Sequence, residues 1–215
     1  EADPELKGQG SNVHPGAACY SNPGIFDILG GWIRGCAQLP GVTEVDVWMS
    51  ENLGSQTGCQ CSQCVTGNRD MLEFQAILNG WQRARQTHPN VRLRILTSEE
   101  TADSNQQIVA ALPSDVTLWY YHSLNTYNTR EVGIIPSYLQ QAAAGGKRVG
   151  VVPNLSASVI AGIINPFTGA HFVRYRMNEF VDTGLSALRG YPTPRVFYFN
   201  FNDEASAEWS WNAHG

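Results

Sequence analysis

Short apolar segments rich in β-branched residues alternate along this sequence with longer segments whose apolar residues recur at helical spacing. The shorter segments predict strands, which lie at 45–49, 92–98, 116–122, 148–152, 185–188 and 195–202. The longer segments predict helices around and between them, at 23–39, 70–87, 102–112, 135–144 and 172–182, with a short final helix after the last strand. Because a helix that joins two strands returns the chain to the same edge of a sheet, we expect parallel strands. The sequence therefore predicts an α/β fold.

The composition supports a globular domain and argues against two kinds of partner. Of 215 residues, 42% are hydrophobic and only 15% are charged, which is enough apolar material for one sizeable core. The 14 Lys and Arg against 19 Asp and Glu give no basic excess, which argues against a nucleic-acid partner. No apolar run approaches the roughly 18–20 residues that a membrane-spanning helix needs, so no membrane partner is expected either.

The glycine patterns of common cofactor-binding sites are absent from the sequence. There is no G-x-G-x-x-G after a strand, no phosphate-binding P-loop and no G-x-S-x-G nucleophile turn. We therefore expect no cofactor.

Polar side chains follow the predicted strands at the points where the strands end. In parallel α/β folds the carboxyl ends of the strands meet at one edge, and ligands bind there. The candidate residues at or beside these ends are Glu51, Asn52, Glu99, Glu100, Tyr120, His122, Asn154, Asn200 and Asp203. Their carboxylates, amides and rings are the strongest positional signal in the sequence.

Five cysteines limit the chemistry of the chain, and four of them can form one group. Cys36 belongs to the first predicted helix and is expected to be a buried free thiol. Cys59, Cys61 and Cys64 are closely spaced in a glycine-rich loop, and the fourth sulfur comes from Cys19. Four sulfurs suit two disulfides or one tetrahedral zinc site, with free thiols as a third alternative, and the sequence leaves all three open.

Four segments together resemble one enzyme family. They are ACYSNP at 18–23, SEN at 50–52, GCQCSQC at 58–64 and AEWSWN at 207–212. From about residue 14 onward, the chain resembles the second half of the catalytic barrel of glycoside hydrolases related to the family 163 endo-β-N-acetylglucosaminidases. It is more distantly similar to α-glucuronidases and to hexosaminidase-type barrels.

The resemblance implies a partial or complete (β/α)8 barrel, with an irregular N-terminal segment at 1–22 and the barrel-type catalytic domain at 23–215. Such a barrel normally takes about 250 residues. The chain is therefore expected to lack the first strands of the barrel, and a second chain that supplies them would complete it. The resemblance also implies a secreted or periplasmic enzyme that acts on an oligo- or polysaccharide containing N-acetylhexosamine or uronic acid.

Glycoside hydrolysis generally needs two groups beside the scissile bond, and one of them must be a protonated acid. The resemblance places the acid of the family at Glu51. The candidates for the second carboxylate are Glu99, Glu100 and Asp203, and we favour Glu99 or Glu100. The alternative for this second pair is that it stabilises the N-terminus of the following helix.

Sugar-binding residues are expected around these carboxylates. Trp209 and Trp211 alternate around Ser210, so in an extended segment they would share one face, on which sugar rings stack. The alternative is that both are core residues, and for Asp203 the alternative is capping of the last helix. The other expected sugar-binding residues are Asn52, Tyr120, His122, Asn154, Asn200 and Asn212.

Two other functions compete with the hydrolase. A non-catalytic carbohydrate-binding module would keep the aromatic residues and lack the second carboxylate. A metal-dependent hydrolase that uses the cysteines is the weaker competitor, because four thiolates leave no coordination position for water.

Overall fold

The computed structural model describes residues 3–14, 16–51, 57–122, 133–154, 157–160, 163–166, 169–185, 187–188 and 200–214. The chain divides into two units, Glu1–Val116 and Thr117–Gly215. In each unit, parallel strands are connected by helices. The predicted α/β class with parallel strands is therefore confirmed.

The first unit is built on two parallel strands. In chain order its elements are a 3-10 helix at Pro4–Leu6, α1 at Ile25–Ala37, β1 at Glu44–Trp48, α2 at Ser62–Thr66, α3 at Arg69–Arg85, β2 at Arg92–Thr97, a 3-10 helix at Glu99–Thr101 and α4 at Ala102–Ala111. Val45 of β1 lies opposite Leu93 of β2, and Val47 lies opposite Ile95. Leu93 and Ile95 are fully buried, so β2 runs through the core of this unit.

Helix α3 supplies much of that core. It begins after Asn68, whose side chain accepts a hydrogen bond from a backbone N–H of the first turn at 3.1 Å, as an N-cap residue does. Its buried side chains include Phe74, Ile77 and Trp81. The indole N–H of Trp81 donates to the carbonyl of Val91 at 2.9 Å, which fixes α3 to the residue before β2.

The second unit contains three parallel strands and a separate antiparallel pair. In chain order its elements are β3 at Val116–His122, α5 at Ser137–Ala144, β4 at Val149–Pro153, β5 at Ala157–Ile160, β6 at Ile163–Pro166, α6 at Ala170–Asp182, β7 at Ala187–Leu188 and α7 at Asn200–Trp211. Strand β4 lies between β3 and β7 and is parallel to both, whereas β5 pairs with β6. Every residue of β4 is buried, as is usual for a parallel strand covered on both faces.

The order of the predicted strands and helices is confirmed, with differences in short elements and at one strand. The strand predicted at 195–202 is wrong at its end, because residues from Asn200 onward form α7, and 195–199 lie outside the described residues. Helix α2 and the β5–β6 pair were not predicted, since such short elements contain too few residues to show a periodic pattern. In the part of the chain that the structure describes, no helix has the length and apolar character to span a membrane.

Cys36 is an exposed free thiol, so the prediction that it is buried is wrong. The buried stripe of α1 consists of Ile25, Leu29 and Ile33. Cys36 lies in the last turn, beyond this stripe, and Trp32 on its flank is 69% exposed. Apolar periodicity in the sequence located the helix but did not show that its burial ends before the last turn.

Helices α1 and α3 approach each other closely at two glycines. A Cβ atom on Gly80 would lie 2.7 Å from the Cβ of Leu29 and 3.0 Å from the backbone nitrogen of Gly30. A Cβ atom on Gly30 would lie 3.0 Å from the carbonyl oxygen of Gly80. Carbon atoms pack best at about 3.5–4.0 Å, so a side chain at either position forces the two helices apart.

Gly80→Ala is therefore expected to destabilise the protein by about 1–3 kcal/mol, because overpacking outweighs the gain of about 0.5–1 kcal/mol that alanine normally brings to a helix. Gly35→Ala is the matched control. Outside the backbone of its own helix, no atom of the described residues lies within 4 Å of a Cβ built on Gly35, so this change should stabilise by about 0.5–1 kcal/mol. Urea unfolding measures both values, and equal effects would contradict the close approach.

Candidate functional site

Two carboxylates of the first unit follow the last paired residues of neighbouring strands by the same number of positions. Trp48, the last residue of β1, lies opposite Leu96 of β2, and the N–H of Met49 donates to the Leu96 carbonyl at 3.0 Å. Glu51 and Glu99 both follow this pair by three residues. Glu51 is exposed and Glu99 is half-buried. One predicted catalytic residue, Glu51, thus follows β1, and two, Glu99 and Glu100, follow β2.

Glu99 and Glu100 occupy the first turn of the 3-10 helix that leads into α4. The Ser98 hydroxyl accepts a hydrogen bond from the N–H of Glu100 at 3.2 Å, and the N–H of Ser98 donates to the hydroxyl of Thr101 at 3.0 Å. Carboxylates at this position stabilise a helix N-terminus. The positions of Glu99 and Glu100 therefore fit the alternative that they stabilise the N-terminus of the following helix.

A buried carboxylate on α3, Glu73, holds the residue that precedes Glu51. The backbone N–H of Ser50 donates to both carboxylate oxygens of Glu73, at 3.0 and 3.1 Å, and the Ser50 hydroxyl donates to Oε1 at 2.8 Å. The Tyr20 hydroxyl donates to the same oxygen at 2.8 Å. Glu73 is only 3% exposed. It fixes the backbone of Ser50, the neighbour of Glu51 in the chain.

Burial shifts the pKa values of Glu73 and of its hydrogen-bond donor Tyr20. Burial raises the pKa of Glu73 above its ordinary value, although hydrogen bonds from Ser50 and Tyr20 oppose the shift. Burial also raises the pKa of Tyr20, and the nearby Glu73 carboxylate raises it further. Tyr20 is therefore a hydroxyl at neutral pH and serves as a hydrogen-bond donor to Glu73.

Glu73 was not among the predicted site residues, although the sequence contains a signal for it. Glu73, Ile77 and Trp81 are spaced four residues apart, so an acidic residue shares the buried stripe of a predicted helix. A buried carboxylate needs hydrogen-bond partners. The pattern indicates that such partners exist but does not name them.

In the second unit, three of the predicted sugar-binding residues lie together. Tyr120 and His122 belong to β3, and their rings meet edge to face with centroids 6.0 Å apart. The backbone N–H of Asn154, directly after β4, donates to the carbonyl of His122 at 3.1 Å. All three residues are buried. The ends of β3 and β4 thus bring together three predicted site residues that are buried.

The prediction that Trp209 and Trp211 share a face is wrong. Both lie in α7, where residues two apart point about 200° apart around the helix axis. Trp209 is half-buried, with the guanidinium of Arg174 5.0 Å from its ring centroid, whereas Trp211 is 89% exposed. One tryptophan packs within the unit, and the other presents its ring to solvent.

The remaining predicted residues whose positions the structure describes lie in α7 or directly after it. Asn200 is the first residue of α7, and Asp203 lies in its first turn, where partial burial raises the pKa of Asp203. Asn212 is exposed just after the helix. The fully buried Asn202 accepts a hydrogen bond from the N–H of Gly169, the residue before α6, at 3.3 Å. Asn52 lies outside the described residues.

Four sulfur atoms of the first unit converge on one point. All five cysteines of the chain are free thiols, and the Sγ atoms of four of them lie within 4.8 Å of one another. We call these four residues the cysteine cluster, and they are Cys19, Cys59, Cys61 and Cys64. The sulfurs of Cys19 and Cys61 are 3.7 Å apart. Three of the four residues are buried and Cys61 is partly exposed.

Backbone hydrogen bonds bring the two segments of the cluster together. The N-terminal segment folds back on itself where Lys7 and Ala18 form an antiparallel bridge, which places Cys19 beside the glycine-rich loop. The N–H of Gln60 in that loop donates to the carbonyl of Gln9 at 2.6 Å. The sulfur of Cys19 thus meets the three sulfurs of the loop, which lie far from it in sequence.

The thiols differ in how readily they ionise. Burial raises the pKa of Cys61, but hydrogen bonds from Ser21 and Cys64 outweigh this effect and lower the pKa to about 6. Burial raises the pKa of Cys19 to about 12, and it also raises the pKa of Cys64. Of these three thiols, Cys61 therefore ionises first.

Comparison with known proteins finds no relative: no protein-family model matches the sequence, and no curated protein matches it. The resemblance to glycoside hydrolases related to family 163 therefore stays a prediction. It depends on the residues that carry it, among them Cys19, Glu51 and the spacing of the glycine-rich loop.

A pH-dependent stability is expected from Glu73. Its folded pKa lies above the ordinary glutamate value of about 4.3, so between these two values the folded protein binds more protons than the unfolded chain does. The unfolding free energy of the wild type should therefore fall as the pH rises through this window. Glu73→Gln cannot ionise and should remove this part of the pH dependence.

Urea unfolding of the wild type and Glu73→Gln from about pH 4 to pH 8 measures this effect. The stability of the variant relative to the wild type should increase with pH. Glu5→Gln, at an exposed position of the same unit, is the control and should follow the wild type. A constant difference between Glu73→Gln and the wild type across the range would contradict the assignment.

Proposed function

We propose that this protein is a glycoside hydrolase that cleaves an oligo- or polysaccharide, with Glu51 as the general acid and Glu99 as the second carboxylate. The observation that supports this assignment is that each of the two residues follows the last paired residue of its strand, Trp48 of β1 or Leu96 of β2, by three positions. We assign the strands to a barrel of the (β/α)8 type, in which ligands bind at this end of the strands. The proposal keeps the secreted or periplasmic location that the family resemblance implies.

The two carboxylates have different tasks in this mechanism. Glu51 donates a proton to the glycosidic oxygen as the bond to the sugar breaks. Glu99 activates water, attacks the anomeric carbon or orients an acetamido group of the substrate. The hydrogen bonds between Ser50 and Glu73 fix the backbone beside Glu51, which supports its role because proton transfer requires a defined geometry.

Glu51→Gln and Glu99→Gln should each lower turnover of an N-acetylhexosamine or uronic acid oligosaccharide by about 10²–10⁴-fold while glycan binding is retained. The amide keeps the shape of the carboxyl group but cannot transfer a proton. A 4-nitrophenol leaving group needs little protonation. Glu51→Gln should therefore lose less turnover on 4-nitrophenyl glycosides than on the oligosaccharide, whereas Glu99→Gln should lose it on both.

Asp115→Asn is the matched control for these substitutions. Asp115 precedes β3 at the amino end of the strand, and its exposed carboxylate pairs with Arg85 at 3.0 Å. The same chemical change there should leave turnover unchanged. If Glu51→Gln hydrolyses the oligosaccharide as fast as the wild type, the assignment of Glu51 as the acid is wrong.

One observation favours a non-catalytic carbohydrate-binding module as the second candidate. Trp211 is 89% exposed on α7 and is followed by the exposed Asn212, an arrangement that suits stacking on a sugar face with a hydrogen bond to a hydroxyl. For a module, the wild type would bind a glycan without releasing product, and Trp211→Ala would weaken binding by about 10-fold. Trp32→Ala, at the exposed tryptophan of α1, is the control and would leave affinity unchanged.

A further inference from the structure

We propose that the cysteine cluster binds one zinc ion, which fastens the N-terminal segment to the loop before α3. A single Zn²⁺ bonded to four thiolates at about 2.3 Å holds neighbouring sulfurs about 3.8 Å apart in a regular tetrahedron. The sulfurs of Cys19 and Cys61 are 3.7 Å apart, and all four sulfurs lie within 4.8 Å of one another. The sulfur atoms thus have the spacing of the ligands of one metal ion.

Donors around the sulfurs match thiolates better than disulfides. The N–H of Gln9 points to the sulfur of Cys59 at 3.3 Å, and the N–H of Cys64 points to that of Cys61 at 3.4 Å. The Ser21 hydroxyl lies 3.2 Å from the sulfur of Cys19 and 3.4 Å from that of Cys61, and it can donate its one proton to either of them. Hydrogen bonds of this kind stabilise the negative charge of metal-bound thiolates, whereas disulfide sulfurs are neutral and do not need them.

Charge supports the same assignment. Four thiolates and one Zn²⁺ carry a net charge of −2, which a nearby cation offsets. The guanidinium of Arg69 donates from Nε to the carbonyl of Cys59 at 2.8 Å, so a positive charge lies beside the cluster. Binding is balanced by the loss of protons, because Zn²⁺ replaces one proton on each of the four thiols and releases all four to solvent.

Among the described residues, the cluster has few of the apolar neighbours that would stabilise it without a metal. Its buried members pack against only two partly buried hydrophobic residues, Cys61 and Leu72. The N-terminal segment that supplies Cys19 has one 3-10 helix, Pro4–Leu6, as its own regular element. A metal bond supplies the stability that so little apolar contact cannot provide.

The role of the ion is structural, and the ion can reach the site. Four protein ligands complete a tetrahedral coordination shell and leave no position for water or substrate. The partly exposed Cys61 lines an open hollow of about 390 Å³ together with Cys19 and Ser21, and this hollow gives zinc access. A cluster of several metal atoms does not suit the site, because metals between the ligands would spread the sulfurs farther apart.

Elemental analysis of the full chain, purified without chelator, tests the proposal directly. We expect about one zinc per chain, with native and denatured masses that differ by one zinc ion. All five thiols should react with a thiol reagent after denaturation with chelator, and a chelator should lower the thermal midpoint. Cobalt in place of zinc should give the charge-transfer and visible bands of a tetrahedral thiolate site.

Substitution of single cysteines completes the test. Cys61→Ser should lose most of the zinc, whereas Cys36→Ser, at the exposed fifth cysteine outside the cluster, should keep it. If Cys61→Ser does not fold, the metal content, thiol number and cobalt spectrum of the wild type still decide the question. Metal-free protein with five free thiols, a mass reduced by disulfide formation, or iron in place of zinc would each overturn the proposal. None of these measurements depends on hydrolase activity.

Discussion

Parallel pairing of neighbouring strands is the constraint on which the rest of this structure depends. A chain that runs β1, helices and then β2 in the same direction brings both carboxyl ends to one edge of the unit, where the N–H of Met49 bonds the carbonyl of Leu96. In the second unit the same rule brings His122 and Asn154 together through a backbone hydrogen bond. Apolar side chains within the strands build the core, and polar side chains lie at the residues directly after the strands.

The end of β1 shows how such an edge is held in place. Glu73 reaches from the buried face of α3 to the backbone of Ser50 and accepts hydrogen bonds from Ser50 and Tyr20. Taking a carboxylate out of water costs free energy, which is why burial raises its pKa. The hydrogen bonds offset part of this cost and define the position of the segment. A purely apolar residue there would pack well but would leave the Ser50 N–H without this acceptor.

The sequence predicts an element correctly where many residues contribute to one apolar pattern. It does not predict a short element or an element end that depends on a single contact. The stripe of Phe74, Ile77 and Trp81 locates α3, whereas the short β5–β6 pair has no comparable pattern. An aromatic run was interpreted as a strand up to residue 202, but Asn202 lies in α7 and bonds the residue before α6. The sequence groups Cys19 with the three closely spaced cysteines of the loop but leaves a single metal site and two disulfides both open. Only the positions of the four sulfur atoms in the structure distinguish these two arrangements.

A single peptide bond connects the cysteine cluster to the hydrogen bonds at the end of β1. Cys19 contributes a sulfur to the cluster, and the next residue, Tyr20, donates its hydroxyl to Glu73, which in turn holds Ser50. A metal ion that fixes Cys19 would therefore also fix the Tyr20 side chain at the carboxylate. The path from the cluster to Glu51 is short and lies wholly within the first unit. Zinc in this position would be a structural ion that helps to hold the segment of the proposed acid in place and takes no part in the reaction.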